Sequence, residues 1–138
     1  MKKIVACAAS ALALFSLASR PVQAAEGAPA RPNLLCALTT IMACESVGEC
    51  ERVKAEDVNL SSFIRLDFKE MKIRIRKPGD ERSSPIHGST VVDWNTILTG
   101  GENGRGWTAV LSADGERLNA AVVGDGGGFL LFANCLPE

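Results

Sequence analysis

Four cysteines beyond the first 24 residues are the side chains whose type and spacing could support chemistry. Thiols can form disulfides, bind a metal or exchange electrons, and their spacing separates these possibilities. Zinc sites usually leave roughly two to four residues between paired cysteines, whereas here seven and then five residues separate the first three. The Cys-x-x-Cys motif of redox sites is absent. The pattern favours structural disulfides among Cys36, Cys44, Cys50 and Cys135.

These four cysteines allow three connectivities, of which we favour one. A bond between Cys44 and Cys50 closes a short loop in which Gly48 eases the bend. A bond between Cys36 and Cys135 joins the two ends of the domain. In the chain-entropy model a loop of about 100 residues is worth roughly 4.7 kcal/mol. The sequence therefore predicts these two disulfides, and the other connectivities stay open.

Other groups that could carry catalysis are isolated along the chain. His87 is the only histidine, and a general base needs a nucleophile or a carboxylate beside it. None of the serines near it lies in a Gly-x-Ser-x-Gly motif. The glycines around Asn103 and at 124–128 lack the helix and the lysine of a phosphate-binding loop. We therefore predict no catalytic residue, no metal and no cofactor.

Basic residues concentrate on one predicted hairpin and form what we call the basic ridge, namely Arg65, Lys72, Arg74 and Arg76. The last three alternate along one strand, so they share one face. Arg65 falls directly opposite Arg74, where like charges repel unless an anionic partner or a carboxylate such as Asp67 relieves them. The ridge could dock an acidic partner. The interpretation that we favour is a solvated outer face that protects a sheet edge.

The first 24 residues have the three-part pattern of a bacterial signal peptide. Lys2 and Lys3 precede an almost wholly apolar run, and Val22-Gln23-Ala24 supplies the small residues at which such leaders are cut. We expect a Sec-type leader cleaved near Ala24 and a periplasmic or secreted protein. No second apolar run of about eighteen residues follows, so no membrane anchor is expected in the mature form.

Charge and length further limit the class of protein and the number of domains. The leader holds three of the 15 basic residues and none of the 16 acidic ones, so the mature chain carries a net charge of −4. Nucleic-acid-binding domains normally have a basic excess, so we expect no nucleic acid. Residues 25–33 are rich in proline, alanine and glycine, which predicts a flexible linker. Residues 34–138 are long enough for a single core, which predicts one disulfide-stapled domain.

Short strands must position these residues. Residues 63–68 and 71–76 each alternate apolar with charged or polar side chains, which predicts two strands joined as a hairpin. We favour the register that places Ile73 opposite Leu66, because it puts both apolar sets on one face. Asn103-Gly104 predicts a two-residue turn further along the chain.

The turn at Asn103-Gly104 places Trp107 across from Gly100, so that the ring covers the glycine. Residues 34–43 form a short segment with β-branched side chains, which favours a first strand, although a helix would also fit. An irregular stretch follows at 44–60, with at most a short helix near Ala55. The other predicted segments are a polar loop at 77–85, strands at 86–93 and 94–101, a turn at Asp114-Gly115, and a last strand at 129–135.

Seven or eight short strands joined by consecutive hairpins predict an all-β antiparallel meander. Such a meander closes, or nearly closes, into a barrel, and a β-sandwich is the alternative. A disulfide between Cys36 and Cys135 would place the first strand beside the last, as a closed barrel requires. We therefore favour the barrel.

Several segments together carry a resemblance to other proteins. They are the leader, the cluster of Cys36, Cys44 and Cys50 with its acidic loop, the strand Phe63–Phe68, Gly104-Arg105-Gly106-Trp107, and Phe132-Ala133-Asn134-Cys135. Together they resemble a group of small exported proteins of unknown function from Gram-negative bacteria, chiefly alphaproteobacteria. The resemblance implies a periplasmic location and supplies no catalytic residue.

The sequence therefore predicts an exported, non-catalytic binding or interaction module. Its partner would be a protein or a small apolar ligand, because barrels of about eight strands have room for side chains or one small ligand. The alternatives are a periplasmic enzyme with catalytic residues dispersed over several strands and a structural protein of the envelope.

Overall fold

The structure is a computed structural model that describes residues 31–45, 48–77 and 79–138, without the side chains of residues 76 and 77. The predicted signal peptide, 1–24, and residues 25–30 of the predicted linker lie outside the described residues. Asn33, the last linker residue, is bonded to the domain. Its side-chain oxygen accepts from the Phe68 N–H at 3.0 Å, and its carbonyl accepts from the Glu138 N–H at 2.9 Å.

Nine antiparallel strands and one turn of 3-10 helix, Glu56–Val58, make up the described part of the chain. The strands are β1 (Leu34–Glu45), β2 (Cys50–Val53), β3 (Phe63–Asp67), β4 (Lys72–Lys77), β5 (Asp80–Val92), β6 (Asn95–Glu102), β7 (Arg105–Leu111), β8 (Arg117–Gly124) and β9 (Gly127–Pro137). Within the described ranges, no helix has the length and apolar character that crossing a membrane requires.

Eight of these strands close into a barrel, which confirms the predicted fold. From β3 to β9 each strand pairs with the next one along the chain, and β1 pairs with both β3 and β9. β2 is an extra strand beside the second half of β1, where Cys44 lies opposite Cys50. The closed barrel rules out the sandwich alternative.

The predicted hairpin registers are present. β3 and β4 pair Leu66 with Ile73, and both apolar sets face the interior. The turn between β6 and β7 has positive φ at both central residues, 50° at Asn103 and 74° at Gly104. As the turn predicts, Trp107 lies opposite Gly100.

The predicted loop at residues 77–85 is wrong, because β5 begins at Asp80 and runs through Pro85. Proline is tolerated there for a positional reason. The Ile86 N–H donates to the Met71 carbonyl at 2.8 Å, so the adjacent pair, Lys72 and Pro85, is a non-hydrogen-bonded pair of the β4–β5 ladder. On its other side β5 pairs with β6 only from Ile86 onward. No ladder bond therefore needs the N–H that proline lacks.

Two other features depart from the expectation. β2 falls in the stretch expected to be irregular, and only the short helix near Ala55 was anticipated there. The turn between β5 and β6 is Asp93-Trp94, with φ of 46° and 71°. Positive φ is uncommon for a bulky residue, so the pair gave no turn signal. Trp94 is 82% exposed at this tip.

Buried side chains fill the barrel at the end where the chain enters and leaves it. The disulfide between Cys36 and Cys135 is part of this core, and both residues are almost fully buried. The other core residues are Leu34, Ile64, Leu66, Ile86, Leu98, Ala109, Leu111, Leu118 and Ala133. The second disulfide joins Cys44 to Cys50, so the structure contains the two bonds that the spacing favours.

Replacement of each cysteine pair by alanine should destabilise the protein unequally. The bond between Cys36 and Cys135 spans a sequence separation of 99 and that between Cys44 and Cys50 a separation of 6. Loop-closure entropy then gives losses of about 4.7 and about 2 kcal/mol. Urea unfolding of the two double-alanine variants measures the difference. Equal losses would contradict the closing role of the longer bond.

Gly100→Ala should lower the free energy of unfolding by about 1–3 kcal/mol. A Cβ at Gly100 would overlap the Trp107 ring and the Pro85 carbonyl oxygen, so either the ring or the strand must move. Gly106→Ala is the matched control, because a Cβ at Gly106 has nothing within 4 Å, and its effect should stay within about 0.5 kcal/mol. Urea unfolding measures both, and equal effects would show that the Trp107 contact does not constrain Gly100.

Candidate functional site

A cavity of about 150 Å³ lies inside the barrel at the end opposite the core disulfide. This end carries the β6–β7 and β8–β9 turns. The wall consists of inward-facing side chains from strands β3 to β5 and β7 to β9, most of them apolar. They are Ile64, Ile73, Ile75, Ser84, Trp107, Ala109, Leu118, Ala120, Val122, Phe129 and Leu131.

Small residues at inward positions leave this space open. The register places Ala109 opposite Ala120. On β6, Gly100 also faces inward, two residues beyond the position opposite Ala109. The Trp107 indole lies over Gly100 and is fixed there by its N–H, which donates to Ser84 Oγ at 2.8 Å. The indole is therefore a fixed wall of the cavity, and its only polar atom already has a partner.

Charged side chains surround the opening, which we call the mouth and define by Arg82, Glu102 and Arg105. Glu102 and Arg105 are exposed, so the cavity reaches the surface beside this pair. Arg82 is bonded within the protein: its Nε lies 3.1 Å from Asp80 Oδ2, and its guanidinium donates to the Asn59 carbonyl. Val58 and Leu60 add apolar contacts at the same end.

The glycines at 124–128 serve close backbone packing, which agrees with their interpretation as a turn. Gly124 and Gly127 face each other across the two-residue turn between β8 and β9. A Cβ at Gly127 would overlap the Cys44 carbonyl oxygen, and one at Gly128 would come within 2.5 Å of the Val122 carbonyl oxygen. Glycine is needed here so that β9 can approach its neighbours.

The described side chains of the basic ridge, Arg65, Lys72 and Arg74, lie on the outer face and pair with carboxylates of the chain itself. Arg65 and Arg74 are cross-strand partners, as the register predicts. Arg65 pairs with Glu138, and Arg74 pairs with Glu70. Arg74 Nε also lies 3.4 Å from Asp67 Oδ2, and Lys72 Nζ lies 3.5 Å from Glu70 Oε2. The Arg76 side chain lies outside the described residues. A docked acidic partner would have to displace these carboxylates.

Asp67 relieves the repulsion between the two arginines, as the sequence suggested. Its pKa is lowered from the ordinary value of 3.8, chiefly because its carboxylate accepts the Glu70 N–H at 2.9 Å. The positive charges of Arg74 and Arg65 lower the pKa further, and desolvation opposes both effects. The carboxylate thus fixes the β3–β4 turn and the ridge together.

The remaining sequence candidates are not brought together. His87 is exposed and lies at the irregularity of the β5–β6 ladder, between the pairs formed by Ile86 and Gly88. Among the residues that the structure describes, no three His, Cys, Asp or Glu side chains cluster as metal ligands would. The two disulfides are consistent with an oxidising, extracytoplasmic compartment.

Comparisons with protein-family models, curated proteins and solved structures found no match to this chain. Neither Arg105 nor Ser84 was predicted from the sequence as a site residue. The available signal was the register of β6, β7 and β8, which aligns Gly100, Ala109 and Ala120 on the inward face.

Asp67→Asn should flatten the dependence of the unfolding free energy on pH in acid. The lowered pKa means that the ionised carboxylate adds stability above pH 3.8, which is lost as the pH falls through the folded-state pKa. Urea unfolding from about pH 2 to about pH 6 measures this slope. Asp93→Asn, at an exposed turn, is the control with the same change of charge. Parallel curves for wild type and Asp67→Asn would contradict the assignment.

Proposed function

We propose that this protein is an exported, periplasmic, non-catalytic binding module that takes a small apolar ligand into the mouth of its barrel. The observation that carries the proposal is the apolar cavity of about 150 Å³ that opens beside Glu102 and Arg105. The predicted leader and the two disulfides support the location, because disulfides persist in oxidising compartments.

The volume limits the size of the ligand. Sites for drug-sized molecules have volumes of about 300–1,000 Å³, so this cavity is too small for such a molecule. An engineered apolar cavity of about 150 Å³ in another protein binds benzene. The expected ligand therefore places one group of roughly benzene size inside the barrel, against Trp107 and Phe129.

The inward alanines also support a binding role. An enclosed void of this volume would forfeit about 3–4 kcal/mol of packing, and partial opening to water reduces that figure. A larger residue at Ala109 or Ala120 would recover much of it. Small side chains opposite each other on β7 and β8 keep room that a purely structural barrel has no reason to keep.

Toluene should bind in the cavity and change the fluorescence of Trp107. The chain has two tryptophans, so Trp94→Phe leaves Trp107 as the only reporter. We expect a saturable change in its emission as toluene is added. Ala120→Leu in the same background should weaken binding at least about tenfold, because the larger side chain occupies the cavity. It should also raise the unfolding free energy by about 1 kcal/mol.

Ala121→Leu is the matched control, since residue 121 is the neighbouring position on β8 and faces the other side of the sheet. It should leave toluene binding unchanged. Far-UV circular dichroism verifies that each variant is folded. A response that does not saturate, or equal binding by the two leucine variants, would contradict the proposed function.

A further inference from the structure

The mouth contains one guanidinium whose donors are not used within the protein. Among the described residues, the Arg105 side chain forms no hydrogen bond and no ion pair. Arg82, the other arginine of the mouth, is bonded to Asp80 and to the Asn59 carbonyl. Arg105 is therefore the charged donor that remains available to a bound molecule.

The fold holds Arg105 beside the cavity. In the β6–β7 ladder it lies opposite Glu102, one inward position beyond the pair formed by Gly100 and Trp107. Its stem packs over Gly124, where an added Cβ would lie 3.2 Å from Arg105 Cγ and 3.7 Å from its Nε. The side chain therefore leans toward β8, and no ion pair with Glu102 forms.

We propose that the ligand is an apolar molecule that carries a carboxylate, with its apolar group in the cavity and its carboxylate on Arg105. The inference rests on the proposed function and adds the chemical class of the ligand. A guanidinium presents donors in a planar fork that matches a carboxylate, and these charge-assisted bonds are stronger than neutral ones. The apolar wall beside Arg105 also reduces its screening by water.

Glu102 opposes the binding of a carboxylate at Arg105 and therefore provides a second test of the proposed ligand class. Its carboxylate shares the mouth with Arg105, so it repels an anion bound there. Its removal should strengthen the binding of a carboxylate and leave the binding of a neutral molecule unchanged. Arg105 and Glu102 thus have opposite effects on the same ligand.

Phenylacetate and 2-phenylethanol are the test pair, because they share an aromatic ring and differ in charge. Isothermal titration of the purified protein should give an affinity about tenfold higher for phenylacetate. Arg105→Gln should abolish that preference and leave the affinity for 2-phenylethanol unchanged. Glu102→Gln should increase it. Arg117→Gln, the same substitution at an exposed arginine near the other end of the barrel, should change neither affinity.

The outcomes separate the two proposals. If neither compound binds, the proposed function fails and this inference fails with it. If both compounds bind equally to the wild-type protein, the carboxylate class is wrong and the apolar cavity stands. A preference that survives in Arg105→Gln, or one that Arg117→Gln removes equally, would also overturn the role of Arg105.

Discussion

The pairing of β1 with β9 is the contact on which the rest of the structure depends. It joins segments about 100 residues apart, so chain entropy opposes it until the hairpins between them have formed. The disulfide between Cys36 and Cys135 lies across this pair and makes the closure covalent. Closure removes the free edges of the meander and gives the interior a fixed width. Without it, Trp107 and the inward alanines would line an open sheet instead of a cavity.

An irregularity in β1 allows this one strand to place buried side chains toward both ends of the barrel. Cys36 and Ile41 are both buried, although residues five apart on a regular strand point to opposite faces. The register against β9 shifts between Leu38 and Thr40, and an extra residue there restores the inward direction. Cys36 can therefore close the core end, while Ile41 is buried further along the strand, opposite Leu131 of the cavity wall.

Local patterns were sufficient to predict the hairpins, because alternating side chains and the Asn103-Gly104 turn fix registers over a few residues. Closure of the hairpins into a barrel was predicted from the long-range pairing of Cys36 with Cys135. The errors arose where a position depends on distant neighbours. Pro85 is acceptable in β5 only because of where the ladders of β4 and β6 begin. β2 has only four residues and is placed by its pairing with β1. The cavity was missed for the same reason. Ala109 and Ala120 were visible in the sequence, but the space beside them exists only after the barrel has closed.

The distribution of ion pairs indicates which charges are structural and which are available for recognition. On the outer face Arg65 and Arg74 lie opposite each other, and each has a carboxylate within reach. This arrangement is what a sheet needs to tolerate like charges in adjacent strands, so it needs no partner to explain it. Arg105 differs, because Glu102 lies opposite it in the ladder and does not pair with it. The Arg105 stem packs over Gly124, but its guanidinium has no ion pair among the described residues and lies beside an apolar opening. The mouth is therefore the stronger candidate for recognition.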